Sequence, residues 1–435
     1  MIRRQQQPVI MKEAVGGRNG SKTIQGNAEE EKFVHIIETV HVKYNRPSQP
    51  AVNKFFEFER VFGPDDSQKS VFQEVCPLLI SLLDGYNVCI MAYGQTGSGK
   101  THTMLGPHSE DNFTVFTEPQ LDEGIIPQAV RELYRLISMK PPETHSVEVS
   151  IVEVYNNEII DLLAKDESGA VLGVKREVMT MTTGGSDVPF LSYEYAKNPT
   201  DILNFVTHGL RHRAKHGTLV HAHSSRSHLV VTLTVTTKIT TANRSDALME
   251  SMPQFSTFQP SSRRFRKPMP YITDDNLALR SQSSYLTYLS TDPSEGFTYL
   301  KTKLQLVDLA GSECVGMSGV TGAALRETSF INRSLSALSD VLGALAEQRS
   351  HVPYRNSKLT HLLQDSIGGD AKLMVMLCVS PAQRYITESL QSLGFGARAR
   401  QVQRGHIRKK VPENTGGRPS QNPFHSNRRN ISSFT

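Results

Sequence analysis

Lys100 lies in GQTGSGKT (94–101), which fits the spacing G-x-x-x-x-G-K-[ST] through Gly94, Gly99, Lys100 and Thr101. The chemistry of that spacing is phosphate binding. Small residues let successive backbone N–H groups converge on an anion where a helix begins. The lysine neutralises the β- and γ-phosphates of a nucleotide, and the threonine hydroxyl is offered to Mg²⁺. The apolar run NVCIMAY (87–93) stands directly before the motif and predicts a buried strand, the context such a motif requires. A glycine-rich turn that matches by chance is the plain alternative; strand, motif and spacing together favour nucleotide binding.

Two further stretches could act on a bound phosphate. HSSRSH (223–228) sets two hydroxyls beside an arginine at the mouth of a strand, a set suited to Mg²⁺ ligation, water placement and charge pairing, although it could equally cap a turn. LVDLAGSE (306–313) ends an apolar strand on Asp308 and continues through Gly311 to Glu313. An aspartate there can hold Mg²⁺ through water and a glycine N–H can meet a γ-phosphate; the simpler role for Asp308 is a turn or helix cap.

These residues need elements to hold them. FVHIIETVHVKY (33–44), VEVSIVEVY (147–155), HLVVTLTVTTKI (228–239), KLQLVDL (303–309) and KLMVMLCVS (372–380) read as strands, and FEFERVF (56–62) alternates apolar with charged residues. Helical spacing runs over 67–84, closed by Gly85, and over 127–138, 200–214, 329–347, 356–366 and 386–400. Strands alternating with helices predict an α/β layer sandwich. Residues 1–32 lack periodicity and read as a disordered lead-in, 33–405 as the globular domain, and 240–300, rich in Ser, Thr, Pro and Arg, as a largely disordered insertion. The tail 406–435 is basic and attracts acidic surfaces.

Composition narrows the classes. The 435 residues carry 48 Lys+Arg against 43 Asp+Glu, a formal charge of +5, and 38% hydrophobic residues supply a core. The apolar run LMVMLCV (373–379) is far shorter than the roughly 18 residues that argue for a membrane span. With the polar opening MIRRQQQPVIMKE, it predicts neither a membrane segment nor a signal peptide. Cys76, Cys89, Cys314 and Cys378 form no metal-binding spacing and predict reduced thiols in a cytosolic protein.

The trio GQTGSGKTHTM, SSRSH and LVDLAGSE resembles the P-loop, switch I and switch II of the kinesin motor domain. DGYNVCIMAYGQTGSGKT, EVYNNEIIDLL, INRSLSAL and HVPYRNSKLTHLLQDSIGG are similar to the same family, over about 54–405 apart from the insertion, with the texture of C-terminal-motor, minus-end-directed members. The resemblance implies a three-layer α/β sandwich of the P-loop NTPase type, with a mixed central sheet and helices on both faces. It implies ATP and Mg²⁺ as cofactors, microtubules as partner, and microtubule-stimulated ATP hydrolysis coupled to movement in the cytoplasm, on the cytoskeleton, spindle or centrosome. By the same resemblance, Gly94, Gln95, Thr96, Gly97, Ser98, Gly99, Lys100 and Thr101 cradle the phosphates and His102 lies against the adenine. Ser225 joins Thr101 at Mg²⁺, with Asp308 acting through water. Ser224 and Gly311 approach the γ-phosphate, Arg226 and Glu313 form the ion pair that closes the switches, and Arg355 and Lys358 face tubulin.

Three positions depart from the family pattern. His221 stands where switch I usually has Asn, and CVGMSG (314–319) replaces a basic stretch. The adenine-holding Arg-x-Arg-Pro has no counterpart nearer than QQQP (5–8). The competing functions are a microtubule-binding protein with slow or absent turnover and a nucleic-acid-dependent ATPase that uses the tail. The latter leaves SSRSH and YRNSKLT without a role.

Overall fold

An apolar segment with no polar face has to be covered on both sides, and all six residues of the strand Val88–Tyr93 are buried inside a sheet. The computed structural model describes residues 2–4, 38–46, 49–107, 122–165, 167, 173–182, 184–216, 225–240, 289–292, 297–313 and 322–402. Its first elements are β1 (Ile2–Arg4), β2 (Glu38–Arg46), β3 (Gln49–Phe58), β4 (Val61–Phe62), α1 (Gln68–Gln73), α2 (Cys76–Leu83), β5 (Val88–Tyr93) and α3 (Lys100–Met104). Next come α4 (Ile125–Ser138), β6 (His145–Tyr155), β7 (Glu158–Asp161), β8 (Val174–Arg176), β9 (Met179–Thr180), β10 (Ser186–Asp187), β11 (Glu194–Ala196) and α5 (Pro199–His216). The last are β12 (His228–Thr240), β13 (Leu289–Asp292), β14 (Phe297–Asp308), α6 (Gly322–Ala346), α7 (Lys358–Leu362), α8 (Gln364–Ile367), β15 (Lys372–Val379) and α9 (Ile386–Arg400).

The main sheet runs β4-β1-β15-β5-β14-β12-β6-β7-β8, with β11 added to β6 and β13 to β14. It is mixed: β1, β15, β5 and β14 lie parallel, whereas β12 is antiparallel to both β14 and β6. Successive strand residues face opposite sides. Val88, Ile90 and Ala92 join one core with Leu79, Leu82, Leu133 and Val206 of α2, α4 and α5. Cys89, Met91 and Tyr93 join the other with Leu338, Leu359, Ile367 and Phe395 of α6 to α9. Tyr93 also stacks on Phe395 with ring centroids 3.8 Å apart. Each fully buried Val, Leu, Ile, Met or Phe among these contributes about 1.5–3 kcal/mol by leaving water, and burial on both faces gives the expected three layers.

Several boundaries differ from expectation. The helix predicted over 67–84 breaks into α1 and α2 because Pro77 enters the first turn of α2, where it cannot bond back to the preceding turn. Ser67 caps α1 by accepting from the Ser70 N–H at 3.1 Å. The helix expected at 329–347 starts earlier, at Gly322. Ile2–Arg4, placed by composition in a disordered lead-in, pair parallel with β15 and β4: three residues carry no periodicity, and sheet neighbours far along the chain supply the hydrogen bonds. The C-terminal part of the expected insertion is likewise strand, since Leu289–Asp292 pair with Phe297–Leu300. Among the described residues no helix is long and apolar enough to cross a membrane.

Candidate active site

β5 delivers the phosphate-binding loop to the C-terminal edge of the parallel strands, and Gly94 passes against β15 there. A Cβ on Gly94 would lie 2.1 Å from the Cys378 carbonyl oxygen, so only glycine fits. Gly97 and Gly99 adopt φ of +75° and +96°, the left-handed region that L side chains avoid. The Gln95 carbonyl gathers the turn by accepting from the Ser98 N–H at 3.2 Å, the Ser98 hydroxyl at 2.8 Å and the Lys100 ammonium at 2.9 Å.

Lys100 opens α3 and is buried, which pushes its pKa down; Asp308 opposes that shift. Asp308 ends β14 opposite Ala92 of β5, so the strand register alone brings it beside the loop. Its Oδ2 accepts from the Thr101 hydroxyl at 2.8 Å, while Oδ1 is buried without a hydrogen-bond partner. Burial raises the Asp308 pKa against the pull of Arg213 and Lys100. A threonine hydroxyl, an orphaned carboxylate oxygen and a buried ammonium at one strand edge fit a nucleotide phosphate with Mg²⁺, which characteristically takes one or two carboxylates plus substrate oxygens. Among the described residues no cluster of three or more His, Cys, Asp or Glu offers another metal site.

The switch segments meet this edge. Gly311 N–H donates to the Ser225 carbonyl at 2.8 Å, and Ser312 N–H donates to the Gly94 carbonyl at 3.0 Å. A Cβ on Gly311 would sit 2.2 Å from the Thr96 hydroxyl and 2.3 Å from the Glu313 carboxylate. The expected Arg226–Glu313 ion pair is not formed. Glu313 instead accepts from the Thr96 N–H at 2.8 Å and the Thr96 hydroxyl at 2.6 Å, and Arg226 donates to Glu327 of α6 at 2.9 Å. Each charge has found a neighbour of better reach: Glu313 the exposed donors of the phosphate loop, Arg226 the carboxylate at the start of α6. Ser224, His221, CVGMSG and QQQP lie outside the described residues.

A family model described as "Kinesin motor domain" matches residues 18–256 and 280–402. The chain belongs to the kinesin motor domain family. It is 54% identical over 392 residues to Kinesin-like protein KIF25 of Macaca fascicularis, covering 89% of this chain and 65% of that protein. To Kinesin-like protein KIF25 of Homo sapiens it is 53% identical over 374 residues, covering 85% and 94%. Kinesin-like protein KIN-14R of Arabidopsis thaliana is 38% identical across 82% of this chain, which spans only 27% of that relative. Among solved structures, the two-heads-bound KIF14 dimer with AMP-PNP in complex with a microtubule aligns with a TM-score of 0.60 at 29% identity, covering 83% of this chain and 86% of that one. The kinesin-type α/β fold expected from the motifs is the one observed.

Within the kinesin motor domain, His102 sits on α3, with its Nδ1 3.3 Å from Gln68 Nε2 and its carbonyl accepting from the same amide at 2.6 Å. Arg355 is exposed on a short 3-10 turn before α7. The Lys358 ammonium pairs with the exposed Glu177, and its N–H donates to the Asn157 side chain at 3.0 Å.

The motifs passed over one buried network. Arg213 of α5 donates to Glu153 of β6 at 3.3 Å and to the Ser227 carbonyl at 2.9 Å, clamping the end of switch I. His228, the last letter of SSRSH, sits at its foot, and burial followed by the nearby Arg213 pushes its pKa down to about 3. The SSRSH spacing contained this signal in its final two residues.

Proposed function

We propose that this kinesin motor domain is a microtubule-stimulated ATPase that couples turnover to movement or force along microtubules. One observation carries the proposal: Lys100, Thr101 and Asp308 converge at the ends of adjacent parallel strands, and one buried Asp308 oxygen lacks a partner. The loop 94–99 directs its N–H groups at the β- and γ-phosphates of ATP, Lys100 neutralises them, and His102 lies against the adenine. Thr101, Ser225 and, through water, Asp308 would hold Mg²⁺, which supplies charge neutralisation at the phosphates. Ser224 and the Gly311 N–H approach the γ-phosphate. Glu313 must leave Thr96 for the phosphate to take the same donors, because two anions on one set of donors repel. Arg226 must leave Glu327 to pair with Glu313 and close the switches over the γ-phosphate. A loose, charge-spread transition state needs positioning and cations more than covalent chemistry.

Similarity to a motor solved with AMP-PNP on a microtubule supports the partner, and exposed Arg355 offers charge to its acidic surface. A microtubule partner implies a cytoskeletal location, with spindle and centrosome arrays proposed among its tracks. Steady-state ATPase with and without microtubules tests the proposal. Microtubules are expected to raise turnover at least tenfold, and ATP turnover indifferent to microtubules overturns it. Lys100→Ala should weaken ATP binding by at least a hundredfold, about 2.7 kcal/mol, in a fluorescent-nucleotide titration.

A further inference from the structure

We infer that His228 is a positioning residue that ties switch II to helix α6, so that movement of Gly311 at the phosphate is passed to that helix through one imidazole ring. The inference rests on the ATPase proposed above and names the link between its site and the rest of the domain.

The hydrogen-bond directions are forced. The Ala310 N–H donates to His228 Nδ1 at 3.0 Å, so that nitrogen carries no proton. The hydrogen therefore sits on Nε2, which donates to the Ser334 hydroxyl of α6 at 2.7 Å. Ser334 in turn donates to the Ile331 carbonyl at 2.7 Å. His228, Ala310 and Ser334 are all buried, so water cannot replace a broken link. The low pKa keeps the ring neutral and this polarity unchanged at physiological pH.

Ala310 precedes Gly311, whose own N–H bonds to the Ser225 carbonyl. Two consecutive N–H groups of switch II are thus held by switch I and by the first residue of β12. A shift of Gly311 toward a γ-phosphate carries Ala310 with it, and a shift approaching an ångström takes a 3.0 Å bond outside hydrogen-bonding range. The rigid ring has two outcomes: it follows Ala310 and pulls Ser334, or it loses one partner. Ile331, Leu335, Leu338, Val341 and Leu342 pack α6 into its core, so a pull at Ser334 displaces the helix as a body.

Ser334→Ala removes the link on the helix side alone. His228→Asn keeps an acceptor in reach of the Ala310 N–H and gives up Ser334. Both variants are expected to bind ATP within about threefold of the unaltered chain while microtubule-stimulated kcat falls at least tenfold, with the microtubule concentration for half-maximal stimulation unchanged. The double variant should be no worse than either single one, because both break the same link.

Hydrogen exchange with and without ATPγS supplies a readout independent of turnover. Nucleotide should protect 94–104 in every chain, and should alter 322–346 in the unaltered chain but not in Ser334→Ala. If 322–346 responds equally in variant and unaltered chain, or in neither while 94–104 responds, the inference is overturned and the ATPase proposal stands. If 94–104 fails to respond in the unaltered chain, the nucleotide proposal falls and this inference with it.

Discussion

Glu313 and Arg226 illustrate what a single charged residue does when its functional partner is not the nearest one. Glu313 occupies the Thr96 donors and Arg226 occupies Glu327, so both charges are satisfied, and the proposed pairing of the two would have to displace both contacts. His228 shows the opposite constraint, a titratable ring held neutral. Its pKa falls from 6.5 to about 3 through burial. The unfolded chain therefore binds a proton that the folded chain refuses between those values. Stability is full above the unfolded pKa and declines as pH drops below it. Urea unfolding at pH 5 should show about 2 kcal/mol less stability than at pH 7.5 from this residue, and His228→Asn should remove most of that difference. His145 and His361 shift in the same direction but are less buried, so a slope unchanged in the variant would assign the effect to them.

At the scale of elements, switch II is strapped by four contacts to neighbours from distant parts of the chain: Gly94, Thr96, Ser225 and His228. Replacing Glu313 with Ala should leave ATP binding intact or tighter, since a competing anion is gone, while turnover falls by about two orders of magnitude, roughly 2.7 kcal/mol of barrier. Normal microtubule-stimulated turnover in Glu313→Ala would show that the residue is only a strap. Glu327→Gln should release Arg226 and raise basal turnover severalfold in the same assay. β1 carries a different expectation. It leads directly into QQQP, whose amides are neutral and offer a smaller flat surface than the guanidinium groups of two arginines. One stacking face lost from the base costs about 0.5–1.5 kcal/mol, so ATP should bind weakly and with poor preference over GTP. Parallel titrations decide it, and a preference for ATP beyond about a hundredfold would mean other side chains rebuild the clamp.

For the whole molecule, the placement of basic charge sets the encounter with a track. Arg355 is exposed, Lys358 shares its charge with the exposed Glu177, and the segment 406–435 is basic, so these are the charges proposed to attract an acidic track. Microtubule affinity should fall steeply as salt rises, because exposed charges are screened over a Debye length of about 8 Å at physiological ionic strength. Deleting 406–435 should weaken co-sedimentation measurably at that salt; identical curves across a salt series would make the segment a passive end.

The phosphate loop, the strand before it and the α/β alternation were legible in the sequence because each depends on near neighbours. Glycines at positive φ, an apolar run without a polar face and a lysine at a helix start act within a dozen residues. Asp308 was legible too, since ending an apolar strand is a local fact. The partners were not. Thr96 and Glu313 are 217 residues apart, Arg226 and Glu327 101, and His228 and Ser334 106. A charge or ring nitrogen bonds to whatever donor or acceptor the packed layers bring within 3 Å, and no spacing along the chain encodes that choice. The phosphate-binding motif was therefore readable in the sequence alone. Only the tertiary structure decided which residue holds each switch, because that depends on how strands from opposite ends of the chain align in one sheet.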